Sequence, residues 1–234
     1  MENRKVFEEA YIAVQMQLKG KIDLQHVIQQ SEIQSLAGVD LAYWKKGEEE
    51  YAVCCIVVMD YLTKKVLEKA YCVDKIDVPY IPGCLAFREI PLFLKTKEFL
   101  SSDPDLYVFD GNGYLHPRHM GIATHAGILI QKPTIGIAKT YYRVEDTEYT
   151  IPENKPFAFE EIVISDQVYG RIVRTHPNVK PIFLSIGNQI DLDTATQIVK
   201  DMTTKESHIP LPTRLADLMT HEIRKQYTAK EQDK

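Results

Sequence analysis

Cysteine is scarce in this chain, and its placement excludes two classes of protein. The four cysteines stand at positions 54, 55, 72 and 84, and none form a Cys-x-x-Cys pair. That spacing offers neither a zinc site nor a disulfide frame. Cys54 and Cys55 are adjacent on one expected strand and point to opposite faces. All four read as small buried hydrophobes of a reducing compartment. Long apolar runs are missing too: none reaches the ~18–20 residues that a bilayer span needs. The first residues, Met1-Glu2-Asn3-Arg4-Lys5, lead into an amphipathic segment without the apolar core of a signal peptide. The expectation is a soluble, cytoplasmic protein with no membrane partner. Basic charge is not in excess either. The net charge is −5 and the pI about 5.8, which argues against a non-specific nucleic-acid coat. An acidic chain that acts on phosphates needs metal cations between its carboxylates and the substrate. No repeat or low-complexity block divides the 234 residues, of which 44% are hydrophobic. One domain spanning 1–234, with one sizeable core, is therefore expected.

The hydrophobic pattern predicts a mixed α/β sheet. Residues 5–19 carry Val6, Ala10, Ala13 or Val14, and Leu18 at helical spacing, which reads as a packing helix. Ser35–Trp44, Tyr51–Asp60 and Val66–Val73 read as three antiparallel strands, the last nearer an edge. The charged segment around Gly47 turns the first into the second. Helices near 84–101 and 118–131 then alternate with strands 105–110 and 134–138. A hairpin over 160–175, a short strand at 181–186 and helices near 193–205 and 213–227 complete the chain. Thr213 is the expected N-cap of the last helix, with Leu215, Leu218 and Ile223 facing inward. Three antiparallel strands followed by parallel ones imply helices on both faces.

The chemistry concentrates between Asp105 and Lys139. A short apolar run, Leu106-Tyr107-Val108-Phe109, delivers Asp110 at its end, followed by Gly111-Asn112-Gly113 and by His116 and Arg118. Ligands of open α/β sheets bind beyond the carboxyl ends of strands. A second such run, Thr134 to Ala138, delivers Lys139 to the same end if the two strands are parallel neighbours. Asp40 lies inside the buried strand Ser35–Trp44, where an unpaired carboxylate is costly unless it is paired or bound to a metal. Glu89 sits near the apolar stripe of its helix, beside Arg88, which as easily reads as a solvated charge. Asp217 on the last helix adds a fourth carboxylate. Between strand and helix, Pro79-Tyr80-Ile81-Pro82 is a stiff loop with an aromatic tip, suited to entering a base stack.

Several carboxylates close together repel unless a divalent cation neutralises them. With oxygen ligands alone, Mg²⁺ is favoured, with Mn²⁺ as its substitute. Beside a lysine and a histidine, such a cluster suits attack on a phosphodiester by water that the cation activates. His116 or Lys139 orients the water or assists the departing oxygen, and the residues alone do not divide those roles. Two rivals compete. A small-molecule phosphohydrolase with Asp110 as nucleophile lacks a second aspartate two residues on, where Asn112 stands. A non-catalytic nucleic-acid binder leaves the carboxylates unexplained.

The chain resembles the endonuclease V family, the deoxyinosine-directed repair nucleases. The resemblance is carried by Ala37-Gly38-Val39-Asp40, Pro79-Tyr80-Ile81-Pro82-Gly83, Phe87-Arg88-Glu89, Asp110-Gly111-Asn112-Gly113 through His116-Pro117, Gly121-Ile122-Ala123, Gly136-Ile137-Ala138-Lys139 and Pro212-Thr213-Arg214-Leu215-Ala216-Asp217. It implies an RNase H-like fold and a Mg²⁺-dependent site of Asp40, Glu89 and Asp110, with Asp217 near it and with Lys139 and His116 as its basic residues. It implies a strand-separating wedge at Pro79, Tyr80, Ile81 and Pro82. It implies a base pocket at Gly83, Leu85, Gly111, His116 and Ile122. The family's reaction is hydrolysis of the second phosphodiester bond 3′ to a hypoxanthine nucleotide in damaged DNA, leaving 3′-hydroxyl and 5′-phosphate ends. Inosine-containing RNA is the alternative substrate within the family.

Overall fold

The computed structural model describes residues 2–229. Eight strands form one sheet: β1 (Ser35–Lys46), β2 (Glu49–Asp60), β3 (Val66–Lys75), β4 (Leu106–Asp110), β5 (Thr134–Ala138), β6 (Ala158–Ile164), β7 (Gln167–Arg174) and β8 (Ile182–Asn188). Their order across the sheet is β3-β2-β1-β4-β5-β8-β7-β6. The β1, β2 and β3 strands are antiparallel, β1, β4 and β5 run parallel, and β8, β7 and β6 return antiparallel. The helices are α1 (Glu2–Lys19), α2 (Leu85–Lys97), α3 (Ile122–Ile130), α4 (Leu192–Met202) and α5 (Leu211–Ala229). Among the described residues, no helix is long and apolar enough to cross a membrane.

Alternation along the central strands sorts the core into two layers. Ala37 and Val39 of β1 and Tyr107 and Phe109 of β4 pack with Ala86, Ile90 and Phe93 of α2 and with Ile122 and Ala126 of α3. Leu36, Leu106 and Val108 turn the other way, toward Ile198 and Val199 of α4. Farther along that second face, Ala42 of β1 and Cys55 of β2 pack with Ile223, while Val57 and Met59 meet Ala216, both from α5. The register pairs Val39 with Phe109, so the next residues, Asp40 and Asp110, are level. Both occupy the parity that faces α4 and α5.

Gly38 explains how α5 comes so near. A Cβ at this position would lie 2.1 Å from the Pro212 carbonyl carbon. Only a residue without a side chain lets the start of α5 rest directly on β1.

Three sequence expectations are corrected. Of the expected inward face of α1, Leu18 turns inward, but Val6, Ala10, Ala13 and Val14 do not; Val6 is 64% exposed, and Tyr11, Ile12 and Gln15 turn inward instead. Thr213 is not the N-cap of α5. The helix begins two residues earlier, and the Thr213 hydroxyl donates back to the Pro210 carbonyl at 3.1 Å. Leu218 is exposed, and Ala216, Thr220 and Ile223 take the inward positions.

Candidate active site

Three of the four acidic residues expected to converge do so. Asp40, Asp110 and Asp217 each place a carboxylate oxygen within 4.8 Å of the others. Asp40 and Asp110 meet because β1 and β4 are parallel neighbours in register, and Asp217 meets them because Gly38 admits α5. Lys139 follows the end of β5, and its Nζ lies 2.5 Å from Asp110 Oδ2 and 3.6 Å from Asp217 Oδ1. Arg214 Nη1 holds Asp217 from the other side at 2.8 Å. Thr220 donates its hydroxyl to Asp40 Oδ2 at 2.7 Å. Despite that bond, burial and then the charges of Asp110 and Asp217 push the Asp40 carboxyl up to about 6. Three carboxylate oxygens so placed could hold a hard divalent cation.

Glu89 stands outside the trio because it arrives from the opposite face, on α2. It is buried and accepts a 2.8 Å hydrogen bond from the Tyr43 hydroxyl. Burial first, then the negative charges of Asp40 and Asp110, raise its carboxyl to about 8. Its neighbour Arg88 is not the solvated charge its sequence position allows. Arg88 is buried, pairs with Glu50 at 2.7 Å, donates to the Val78 carbonyl and lies over the Tyr43 ring. The pair Tyr43 and Arg88 thus locks the start of α2 against β1.

Two residues beyond Asp110, the chain lines a cavity. Gly83, Leu85, His116 and Ile122, four of the five residues expected to form a base pocket, line it together. Gly111 does not line it. A Cβ on Gly111 would lie 2.8 Å from Ile122 Cγ2, so this glycine makes room behind the wall. His116 belongs to the pocket and not to the carboxylate trio. Its Nδ1 accepts the backbone N–H of Arg118 and of Met120, which leaves Nε2 to donate to the Gly83 carbonyl at 3.0 Å. Burial and the nearby Arg118 charge hold its imidazole down at about 4. It is a neutral, fixed wall. At the mouth, Tyr80 is 58% exposed while Ile81 is 2% exposed. Ile81 therefore anchors the loop, and the projecting tip is Tyr80 with its flanking prolines.

The Endonuclease V family model matches residues 16–218. The chain belongs to the Endonuclease V family. Endonuclease V of Bacillus thuringiensis is 52% identical over 224 residues, covering 96% of this chain and 95% of that protein. The crystal structure of the Bacillus subtilis Endonuclease V superposes with a TM-score of 0.92 at 49% identity, covering 95% of this chain and 94% of that one. A Ciona intestinalis Endonuclease V, in complex with a 24mer DNA containing an inosine followed by a ribo-adenosine, gives 0.81 at 28% identity, covering 96% and 99%. The fold is RNase H-like, and the family makes the chain a nuclease.

Several residues at this Endonuclease V site escape a reading of the sequence. Tyr142 lines the cavity, and its ring runs parallel to that of His116, 5° apart in plane with centroids at 5.7 Å. It lies in an irregular segment with no period to mark it. Asn112 and Met120 also line the wall. Asn112 reads as part of a solvated turn, yet its Oδ1 is buried without a donor. Gln15 touches the same wall from α1. The one available signal there is a glutamine at helical spacing between Tyr11 and Leu18.

Proposed function

We propose that this chain is a single-domain, Mg²⁺-dependent endonuclease that recognises deoxyinosine in DNA and cuts the second phosphodiester bond 3′ to it. One observation carries the reading. The end of β4 supplies Asp110 to the carboxylate trio and Asn112, two residues later, to a neighbouring pocket. A flipped base and a phosphate of the same strand are served by one turn of chain. Enzymes that read a single base take it out of the stack. Hypoxanthine differs from adenine in its keto oxygen and its N1–H donor. The first turn of α2, at Leu85 and Ala86, has backbone N–H groups without intrahelical partners, suited to the keto oxygen. The Asn112 Oδ1 lacks a donor. Adenine would leave both kinds of group mispaired, at a cost of about 1–3 kcal/mol for each buried one.

Asp40, Asp110 and Asp217 would hold the divalent cation. When bound, that ion supplies charge neutralisation and lowers the pKa of water. The remaining work falls to the chain. A water oxygen adds to phosphorus, the P–O3′ bond breaks, and a proton goes to the departing O3′. The products are 3′-hydroxyl and 5′-phosphate ends. Lys139, beside Asp110, offsets the negative charge that develops on the phosphate and the departing oxygen. Tyr43 donates to Glu89 and holds it in place beside the trio. His116, neutral and tied at both nitrogens, holds the pocket wall and moves no proton.

Matched inosine and adenine strands, each as DNA and as RNA, test the proposal. With Mg²⁺, the expected result is a single break in DNA between the inosine's 3′ neighbour and the nucleotide after it, and none in the adenine strand. Preferential cutting of the RNA strand would move the substrate to inosine-containing RNA. Equal cutting of inosine and adenine strands would overturn the pocket assignment.

The wedge carries its own expectation. Tyr80→Ala removes an exposed ring, so melting temperature stays within a degree or two. Loss of base stacking, worth about 1–3 kcal/mol, weakens binding of an inosine duplex by roughly 10- to 100-fold. Binding of a single strand, where no stack has to be opened, should change less. Anisotropy titrations on both substrates separate these outcomes, and an unchanged duplex affinity removes the wedge role.

A further inference from the structure

We propose that Gln15 of α1 is a positioning residue for the base pocket, so that the N-terminal helix takes part in discriminating inosine from adenine. The inference rests on the reading of the pocket given above. Gln15 stands one residue before the stretch matched by the family model. On a helix whose other described side chains are at least partly exposed, it is fully buried. An apolar core does not hold it. Its Nε2 donates to the Gly83 carbonyl at 2.9 Å and to the Met120 carbonyl at 3.3 Å, and its Oε1 accepts Arg118 Nε at 2.6 Å. One carboxamide therefore ties the end of the wedge loop to two points, Arg118 and Met120, of the loop that runs from His116 to α3.

The Gly83 carbonyl is the centre of this arrangement. It accepts from Gln15 Nε2, from His116 Nε2 at 3.0 Å and from Arg118 Nη2 at 2.9 Å. Three donors on one carbonyl leave it no lone pair for a bound base, so its role is to fix the peptide that follows it. That peptide leads directly into Cys84 and the first turn of α2, where Leu85 and Ala86 line the cavity. Gly83 has φ +74°, a conformation that an unsupported loop would leave readily. Outside the pocket, Tyr11 stacks on Phe87 of α2, centroids 4.1 Å apart, so α1 is set against α2 independently of Gln15. Losing the carboxamide should therefore loosen the pocket before it loosens the fold.

Gln15→Met keeps the length of the side chain and removes every hydrogen bond it makes. Single-turnover cleavage of inosine DNA with Mg²⁺ would be measured across enzyme concentration, beside binding of a matched adenine strand. The half-saturating concentration for inosine is expected to rise about tenfold, the equivalent of one buried hydrogen bond. The rate at saturation stays within about twofold, and adenine binding does not change, so the inosine preference falls about tenfold. A purely structural role would lower the melting temperature and leave that preference intact, and this result would overturn the inference. Gln15→Glu is the second variant. It keeps an acceptor for Arg118, and so the helix contact, but offers nothing to the two carbonyls; it must lose the preference as well. If wild-type protein shows no preference for inosine, the pocket reading itself fails. If wild type and both variants share one preference, only the role of Gln15 fails.

Discussion

Asp110→Ala is expected to abolish strand cutting while leaving the inosine strand bound. Asp110 is shared by everything the site does: it lies within reach of Asp40 and Asp217, and it takes the Lys139 ammonium. Outer partners of metal ligands already cost roughly 10- to 100-fold when removed. A ligand itself, with the lysine left to face Asp217 alone, should cost on the order of 10³-fold or more. Raising Mg²⁺ would not restore the rate, because two aspartates remain where three were. Stability should hardly fall. Asp110 closes a five-residue strand whose other four residues are buried, and its removal relieves repulsion with Asp40. Binding should persist, because the pocket begins beyond Gly111 and Asn112 keeps its backbone. The measurement pairs a denaturing-gel time course with anisotropy on the same oligonucleotide. Turnover near the wild-type rate would sink the assignment of the carboxylate trio, whatever the affinity.

How much of this was legible in the sequence depends on which force placed each residue. The strands were legible because apolar side chains in runs have nowhere else to go, and β1, β2, β4 and β5 lie where the pattern puts them. Asp40 and Asp110 were legible for the converse reason: a carboxylate inside or at the end of a buried run is too costly to be accidental. Glu89 was expected within the carboxylate cluster, and its place apart from the trio was not legible. Sheet parity decides that, since α2 covers one face and α5 the other. The facing of α1 was illegible. Counting apolar residues assigns its inner face to Val6, Ala10, Ala13 or Val14, and Leu18, of which only Leu18 turns inward. The surface it meets, however, presents the Gly83 and Met120 carbonyls, and an amide serves these better than a methyl group. Tyr142 and Asn112 were illegible because irregular backbone carries no period, and only the folded loop shows what it surrounds. His116 was singled out beside the carboxylates, and only the fold shows that it lines the pocket with both ring nitrogens spent on backbone groups.

The carboxylates should also leave a signature on stability when no divalent cation is present. Folding raises the Asp40 carboxyl from its ordinary 3.8 to about 6, chiefly by burial. It raises Glu89 from 4.5 to about 8, again chiefly by burial. A folded-state value above the unfolded one means that the folded protein binds more protons between the two. Stability is then fully present below the unfolded value and is lost as pH rises through the folded one. For Asp40 the window is roughly pH 4–6, and for Glu89 it extends to about pH 8. At 1.36 kcal/mol per unit, Asp40 alone accounts for a loss on the order of 3 kcal/mol by neutral pH. In a chain of this size, that is roughly 6–12 °C of melting temperature. Melts in EDTA should therefore fall steadily from pH 4.5 to 8, and Mg²⁺ added at pH 8 should recover most of the difference. Asp40→Asn separates this from general alkaline weakening. The amide keeps an oxygen for the Thr220 hydroxyl and carries no charge to bury. The metal-free variant should thus melt above metal-free wild type at pH 8, by several degrees, while cutting nothing. A wild-type profile that stays flat in EDTA, or a variant that melts below wild type at pH 8, would show that these carboxyls are not strained by their setting. The same strain is what makes the site receptive to a cation: each charge that burial penalises and its neighbours repel is one that a divalent ion relieves.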